Sequence, residues 1–296
     1  MAPILPVGSH IAVIAPASRF VPDRLEQGLN LLRDWGYTPH VFDGVSDPVR
    51  NFAAPDSVRL AHLVRAFQDP QYDAIWAIRG GYGVTRFIDD VPWDTLTAKP
   101  LLGFSDLTPL LDVATRQIGA TCVHAPVIHS LPSHDDASLA WLRALLTGAT
   151  REPLRGDTWV GGDATGPLVG GNLCMLASTC GTSSQLDATG CIVVLEDVGE
   201  PAYRIDRMLQ QLASAGVFNG VAGVALGTFT GCAAPEGQGW DIDDVLRDHL
   251  SRLGVPVLAG LPIGHGAANH AFVVRSQGVL ANGTLRIGVS DGPVVA

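Results

Sequence analysis

Apolar residues follow two rhythms along the chain. Short continuous apolar runs bounded by turn residues read as buried strands, and stretches with an apolar residue every third or fourth position read as helices. HIAVIAPAS (10–18) is of the first kind and ends in a Pro/Ser turn. PDRLEQGLNLLRDWG (22–36) is of the second, with Leu25, Leu29, Leu32 and Trp35 on one face and Gly36 as a stop. VRLAHLVRAF (58–67) sets Leu60, Leu63, Val64 and Phe67 on one face, after Asp56 and Ser57 as candidate caps. AIWAI (74–78) predicts a strand running straight into Arg79-Gly80-Gly81-Tyr82-Gly83. PLLGF (100–104) predicts another, running into Ser105-Asp106 and then a helix over 107–117. ATCVHAP (120–126) closes the series. Such alternation implies a parallel sheet covered by helices.

Residues 148–165 are polar, Gly-rich and without periodicity, and read as a linker. The second half then gives GPLVGGN, a short helix near 173–180, the strand CIVVLE (191–196) and a helix from Pro201 to Ala215. A strand at 221–229, a helix at 240–254 and a strand at 255–260 follow, and Asn282-Gly283 inside VLANGTLRI marks a type I′ hairpin. The expected fold class is α/β. An N-terminal flavodoxin-like parallel-sheet domain covers 1–147, and a smaller C-terminal mixed α/β domain covers 166–296.

Charge narrows the function. The chain is 47% apolar and 16% charged, with a formal net charge of −10. That balance disfavours nucleic acid or an anionic membrane as partner. Lys99 is the only lysine among 19 basic residues, and it stands at the start of an apolar strand outside any phosphate-loop motif. Lysine-based chemistry is therefore nearly excluded. The five cysteines form no CxxC pair and read as free thiols in a reducing compartment. The N-terminus lacks a basic region ahead of its apolar stretch, and no run is long enough to span a bilayer, so a cytoplasmic location is expected.

In open parallel sheets, ligands meet the carboxyl ends of the strands. Two segments fall there: Arg79-Gly80-Gly81-Tyr82-Gly83 and Gly103-Phe104-Ser105-Asp106. Ser105 reads two ways. On a sharp strand-to-helix turn its Oγ would be lifted from the sheet, with the Asp106 N–H free to face an oxyanion. Alternatively Ser105 is an N-cap and Asp106 an ordinary first-turn acid. GFSDL is not GxSxG, and GGYG is not GxGxxG, so the common esterase and dinucleotide motifs are absent.

A nucleophilic serine needs a base, and the base an orienting carboxylate. His10, His40, His62 and His249 lie in predicted strands or helices and read as structural. His124, His129 and His134 recur every five residues, without the helix or HExxH frame that a metal site would show, so neither metal nor cofactor is expected. His265 differs: Gly264 and Gly266 flank it, giving its backbone freedom to aim an imidazole into a cleft. Glu196 ends the strand CIVVLE, an awkward place for a carboxylate without a partner.

Taken together, IAPAS, AIWAIRGGYGVTRFIDDV, LLGFSDLTPLL, VHAP, GPLVGGNL, VVLEDVGEPAYRIDRML and LPIGHGAANHAF resemble the LD-carboxypeptidase family. These serine peptidases include muramoyltetrapeptide carboxypeptidase and the microcin C self-immunity peptidase. The matching segments keep family order over about residues 11–272. The resemblance implies a catalytic triad of Ser105, Glu196 and His265, with an oxyanion hole from the backbone N–H groups of Asp106 and Gly81. The serine would come from the first domain and the other two residues from the second, placing the active site at their interface. Arg79, Gly80 and Tyr82 are substrate-binding candidates. Arg79 and Arg204 are the arginines nearest the motifs for a substrate carboxylate, and Arg204 reads equally well as an ion-pair partner of Glu200 or Asp206. One departure is Ala125, where the family usually has glycine. The implied activity is cleavage of an L–D peptide bond, releasing terminal D-alanine from a cytoplasmic murein tetrapeptide in peptidoglycan recycling. The alternatives are a family peptidase acting on aminoacyl-nucleotide toxins and a non-catalytic peptide- or nucleotide-binding protein. Family habit implies a homodimer.

Overall fold

The computed structural model describes residues 2–234, 237 and 239–288. The chain forms two compact units. One runs to Arg151 and includes Ala271–Val273; the other holds Glu152–His270 and the described residues from Val274 onward. In chain order the first unit contains β1 (His10–Ile14), α1 (Pro22–Asp34), β2 (Thr38–Val41), α2 (Asp56–Gln68), β3 (Ala74–Ala77), β4 (Leu101–Gly103), α3 (Thr108–Ile118), β5 (Cys122–His124) and α4 (Asp136–Thr147). The second has β6 (Leu154–Arg155), β7 (Asp157–Val160), β8 (Ala164–Asn172), α5 (Leu173–Ser178), β9 (Ile192–Val198), α6 (Ala202–Ser214), β10 (Gly223–Thr230), α7 (Ile242–Leu250) and β11 (Val257–Ala259). The two-residue β12 (Phe272–Val273) follows, and then β13 (Gln277–Ala281) and β14 (Thr284–Ile287).

The first sheet has the order β12-β5-β4-β3-β1-β2. Its strands β1 to β5 are parallel and follow the flavodoxin order 2-1-3-4-5, while β12 adds antiparallel to β5 through Phe272 opposite His124. All four residues of β3 are buried, which explains why AIWA is a continuous apolar run rather than an alternating one. Strand order reverses between β1 and β3, and there such sheets open a crevice at their carboxyl edge.

The second sheet mixes both directions, as its sequence implied. Strands β8, β9, β10 and β11 are parallel, and β13, β14, β6 and β7 pair antiparallel in the order β6-β14-β13-β8-β9-β10-β11-β7. Only Gly156 separates β6 from β7, yet these two lie at opposite edges. The single stretch 154–160 thus covers both edges and shields strands that would otherwise invite pairing with another chain. The segment 148–165, expected as a linker, carries β6, β7 and the first residues of β8. Gly and Asp there hide the strand signal, because edge strands need no buried face. The expected hairpin is present, with positive φ at Asn282 (51°) and Gly283 (69°).

Helix starts differ from expectation in one informative place. α2 begins at Asp56 with Pro55 at its cap position and no side-chain cap, so Asp56 and Ser57 do not cap it. Asp56 instead pairs with Arg59 and Arg86. α4 escaped notice in the sequence, although Asp135 caps it by accepting the Ser138 N–H at 2.8 Å. Lys99 bonds the carbonyls of Ala66 and Asp69 at the carboxyl end of α2, a helix-terminal role for the one lysine. No helix among the described residues is long and apolar enough to cross a membrane.

Candidate active site

In the first unit, the loops after β1, β3 and β4 share the carboxyl edge of the sheet. Ser105 follows β4 by one residue and starts a single 3₁₀ turn that leads into α3. Its φ is 65°, left-handed backbone that costs a non-glycine residue about 1–2 kcal/mol. No side chain caps the 3₁₀ turn or α3, so the N-cap reading of Ser105 does not hold. The Asp106 N–H sits in the first turn, where it has no intrahelical partner.

The RGGYG loop lies against this serine. A Cβ on Gly80 would come within 2.9 Å of Ser105 Cβ and 3.2 Å of Oγ. Gly81 has φ +100°, and a Cβ there would meet Ser18 Oγ at 2.4 Å, so glycine is required on both counts. Ser18, in the loop after β1, holds the loop on both sides of Gly81. Its N–H donates to Gly80 O at 3.2 Å, and its Oγ accepts the Tyr82 N–H at 3.0 Å. In a trans peptide C=O and N–H point opposite ways, so the Gly81 N–H points away from Ser18. Arg79 donates to Arg19 O at 2.7 Å, and Tyr82 is about half exposed over Phe52, with ring centroids 5.5 Å apart.

Asp106 contributes more than its N–H. Its side chain is wholly buried, and Oδ2 accepts the Val84 N–H at 2.9 Å. Burial pushes this carboxyl up to about 6, against the opposing pull of that hydrogen bond and of Arg59.

In the second unit, His265 Nδ1 lies 2.6 Å from Glu196 Oε2. Glu196 is fully buried at the carboxyl end of β9, and the imidazole is 17% exposed. A carboxylate oxygen accepts, so Nδ1 carries the proton and Nε2 of the neutral ring keeps its lone pair. Gly264 makes this approach possible. Its φ is +130°, and a Cβ would stand 2.6 Å from Thr228 Oγ1 and 2.8 Å from Glu196 Oε2. Its N–H donates to the buried Asn269 Oδ1 at 3.1 Å, tying both ends of GHGAAN.

Beside Glu196, Asp197 accepts hydrogen bonds from Asn172 Nδ2, Cys174 N and Val198 N at 2.8–3.0 Å. Burial pushes it also up to about 6, and the neighbouring Glu196 charge adds to the shift. Asn172 caps α5 as well, accepting from Met175 N. The GGN and LED motifs therefore form one bonded network at the ends of β8 and β9.

The remaining candidates separate cleanly. His10 stacks on His40, His62 meets Phe42 edge-on, and His249 bonds Asp206 at 2.7 Å. His124 is buried and stacked on Phe272 at 4.8 Å, beside which Ala125 is also buried. Arg204 pairs with Glu200 at 3.3 Å. Among the described residues no three His, Cys, Asp or Glu side chains gather as metal ligands would. Ser18, Arg59, Thr228 and Asn269 escaped the sequence reading. Ser18 and Asn269 lie inside IAPAS and GHGAAN, whereas Arg59 and Thr228 stand in segments that read as ordinary helix and strand.

The family models for the LD-carboxypeptidase N-terminal and C-terminal domains match residues 11–125 and 165–280. A relative from Synechocystis sp. is 39% identical over 277 residues, covering 92% of this chain and 91% of its own. The murein tetrapeptide carboxypeptidase of Pseudomonas aeruginosa is 36% identical over 299 residues, covering 95% and 96%. Among solved structures, muramoyltetrapeptide carboxypeptidase from Oxalobacter formigenes matches with TM-score 0.82 at 29% identity, over 97% of this chain and 100% of that one. MccF in complex with glutamyl sulfamoyl guanosine shares the fold, with TM-score 0.87 at 18% identity over 98% of both chains. Fold and relatives together define a two-sheet α/β enzyme of the carboxypeptidase class. The chain belongs to the LD-carboxypeptidase family.

Proposed function

We propose that the protein is a serine LD-carboxypeptidase that removes the terminal D-alanine from a cytoplasmic murein tetrapeptide, as a step in peptidoglycan recycling. The observation that carries this reading is the buried 2.6 Å pair of Glu196 and His265, an imidazole held in one tautomer with Nε2 left as a base. The strained backbone of Ser105 supports its role as the nucleophile. In the reaction, Ser105 Oγ attacks the scissile carbonyl and His265 takes the hydroxyl proton. The negative charge on the carbonyl oxygen is met by the Asp106 and Gly81 N–H groups. The C–N bond then breaks, and the His265 proton passes to the leaving amine of D-alanine. Water, deprotonated by the same imidazole, hydrolyses the acyl-enzyme and restores the serine. Arg79, which adjoins the glycine loop in the sequence, is the candidate cation for the substrate carboxylate, and the mechanism needs no metal or cofactor. The murein substrate is favoured over an aminoacyl-nucleotide because the murein-acting relatives are 36% and 29% identical, against 18% for MccF. We further propose that the enzyme works as a homodimer.

The test is release of D-alanine from a murein tetrapeptide, followed by chromatography. Wild type releases it and Ser105→Ala, folded by circular dichroism, does not. Undiminished release by Ser105→Ala would overturn the proposal, and equal release of terminal L-alanine would overturn the L–D assignment.

A further inference from the structure

One peptide group in the first unit is held at both ends by opposite charges. The carbonyl of Gly83 accepts from Arg59 Nη1 at 2.9 Å, and the N–H of Val84 donates to Asp106 Oδ2 at 2.9 Å. Because C=O and N–H of a trans peptide point in opposite directions, guanidinium and carboxylate lie on opposite flanks of a single plane. Both side chains are fully buried. Arg59 also donates through Nε to Ala54 O at 3.1 Å and through Nη1 to Pro16 O, and it pairs with Asp56. Its plane rests on the rings of Phe52 and Phe87, 4.8 and 5.1 Å from their centroids.

A single guanidinium thus ties the loop after β1, the segment before α2 and the RGGYG loop. Burying that charge is costly, and its donors are spent on backbone carbonyls and one aspartate. Packing of α2 does not call for it, since Leu63, Ala66 and Phe67 already fill the buried face. The carboxylate partner belongs to the residue after Ser105, and the clamped peptide lies two residues after Gly81. Those two residues are the ones assigned above to supply the oxyanion donors.

We infer that Arg59 is a positioning residue: through the clamped Gly83–Val84 peptide and Asp106 it fixes the spacing between the Asp106 and Gly81 N–H groups. This rests on the reading of Ser105 as nucleophile. Preorganised donors act on charge that develops in the transition state, so loosening them lowers kcat and leaves ground-state binding alone. Arg59→Lys keeps a cation but cannot bridge three carbonyl-bearing segments. Asp106→Asn keeps an acceptor for the Val84 N–H and removes the charge facing Arg59.

The experiment compares wild type, Arg59→Lys and Asp106→Asn in kcat, KM and inhibition by a peptidyl boronic acid with boron at the scissile carbonyl. For folded Arg59→Lys we expect kcat to fall about 10–100-fold, with KM within about threefold and boronate Ki rising in proportion. For Asp106→Asn we expect kcat about tenfold lower with a melting temperature unchanged or higher, a combination that lost structure would not produce. If Arg59→Lys does not fold, Asp106→Asn decides. A kcat within about twofold of wild type in the folded variants, or a loss confined to KM with boronate Ki unchanged, would overturn the inference. That outcome would leave the nucleophile reading standing, because Ser105→Ala tests it separately.

Discussion

Ser105 and His265 are each held in place by what surrounds them, but by different means. Ser105 is presented by backbone: a φ of 65°, a tight turn after β4 and a glycine loop pressed against its Cβ. His265 is aimed by another side chain, a buried carboxylate 2.6 Å away that bonds Nδ1. On the proposed mechanism, strain serves Ser105 as nucleophile because the turn must expose a short side chain, and a hydrogen bond serves His265 as base because an imidazole needs its tautomer and ring plane fixed. The first arrangement is sensitive to backbone changes in neighbouring loops, and the second to the identity of one carboxylate.

The largest effect tests that second dependence. Glu196→Gln keeps the shape but removes the negative charge that stabilises the imidazolium, and we expect kcat to fall about 10³–10⁴-fold with KM little changed. Steady-state D-alanine release measures it, and a loss below tenfold would show that the carboxylate is not the orienting group. The two glycines come next and set the halves side by side. Gly264→Ala drives a methyl to 2.8 Å from Glu196 Oε2, and Gly81→Ala drives one to 2.4 Å from Ser18 Oγ. We expect about 10²-fold lower kcat for the first, whose clash falls on the Glu196 carboxylate itself, and about tenfold for the second, whose clash falls on Ser18 Oγ and Cβ, one step removed from Ser105. Equal effects would remove the distinction between the two halves.

A smaller effect is expected in stability. Asp106 and Asp197 each hold a proton up to about 6 when folded, above the ordinary carboxyl value of 3.8. The folded state therefore binds protons more tightly, and stability from these groups is full below about pH 4 and lost as pH rises to about 6. Asp56, lowered by Arg86 and Arg59, acts in the opposite sense and only below that window. Urea unfolding from pH 4 to 7 should show the decline, and Asp106→Asn should remove its share, on the order of 2–3 kcal/mol. A flat profile in wild type would contradict it. Smallest is Lys99→Met, which loses the bonds to the carbonyls ending α2 and should cost about 1 kcal/mol with activity unchanged.

Much of this architecture is legible in residue patterns. The buried parallel strands announce themselves as unbroken apolar runs, Glu196 stands out as a carboxylate ending one of them, His265 is marked by its flanking glycines, and Ser105 by its place after a strand, where an N-cap reading was equally open. β12 and β6 were not legible because two-residue strands carry no period. The clamp around Gly83 was hidden for another reason. Arg59 falls in a helix whose pattern treats arginine as a surface residue, and only the loops converging on it in three dimensions reveal that it is buried.

In the proposed mechanism a nucleophile built on one sheet and a base built on the other serve one reaction. Ser105→Ala, His265→Ala and the double variant, measured in one D-alanine release assay, test it most directly. Residues that act as a unit are non-additive, so each single variant should lose about 10⁴-fold or more, and the double variant should be no slower than the slower single. If the losses multiply, or if His265→Ala keeps wild-type kcat, the two halves do not act together and the account is wrong.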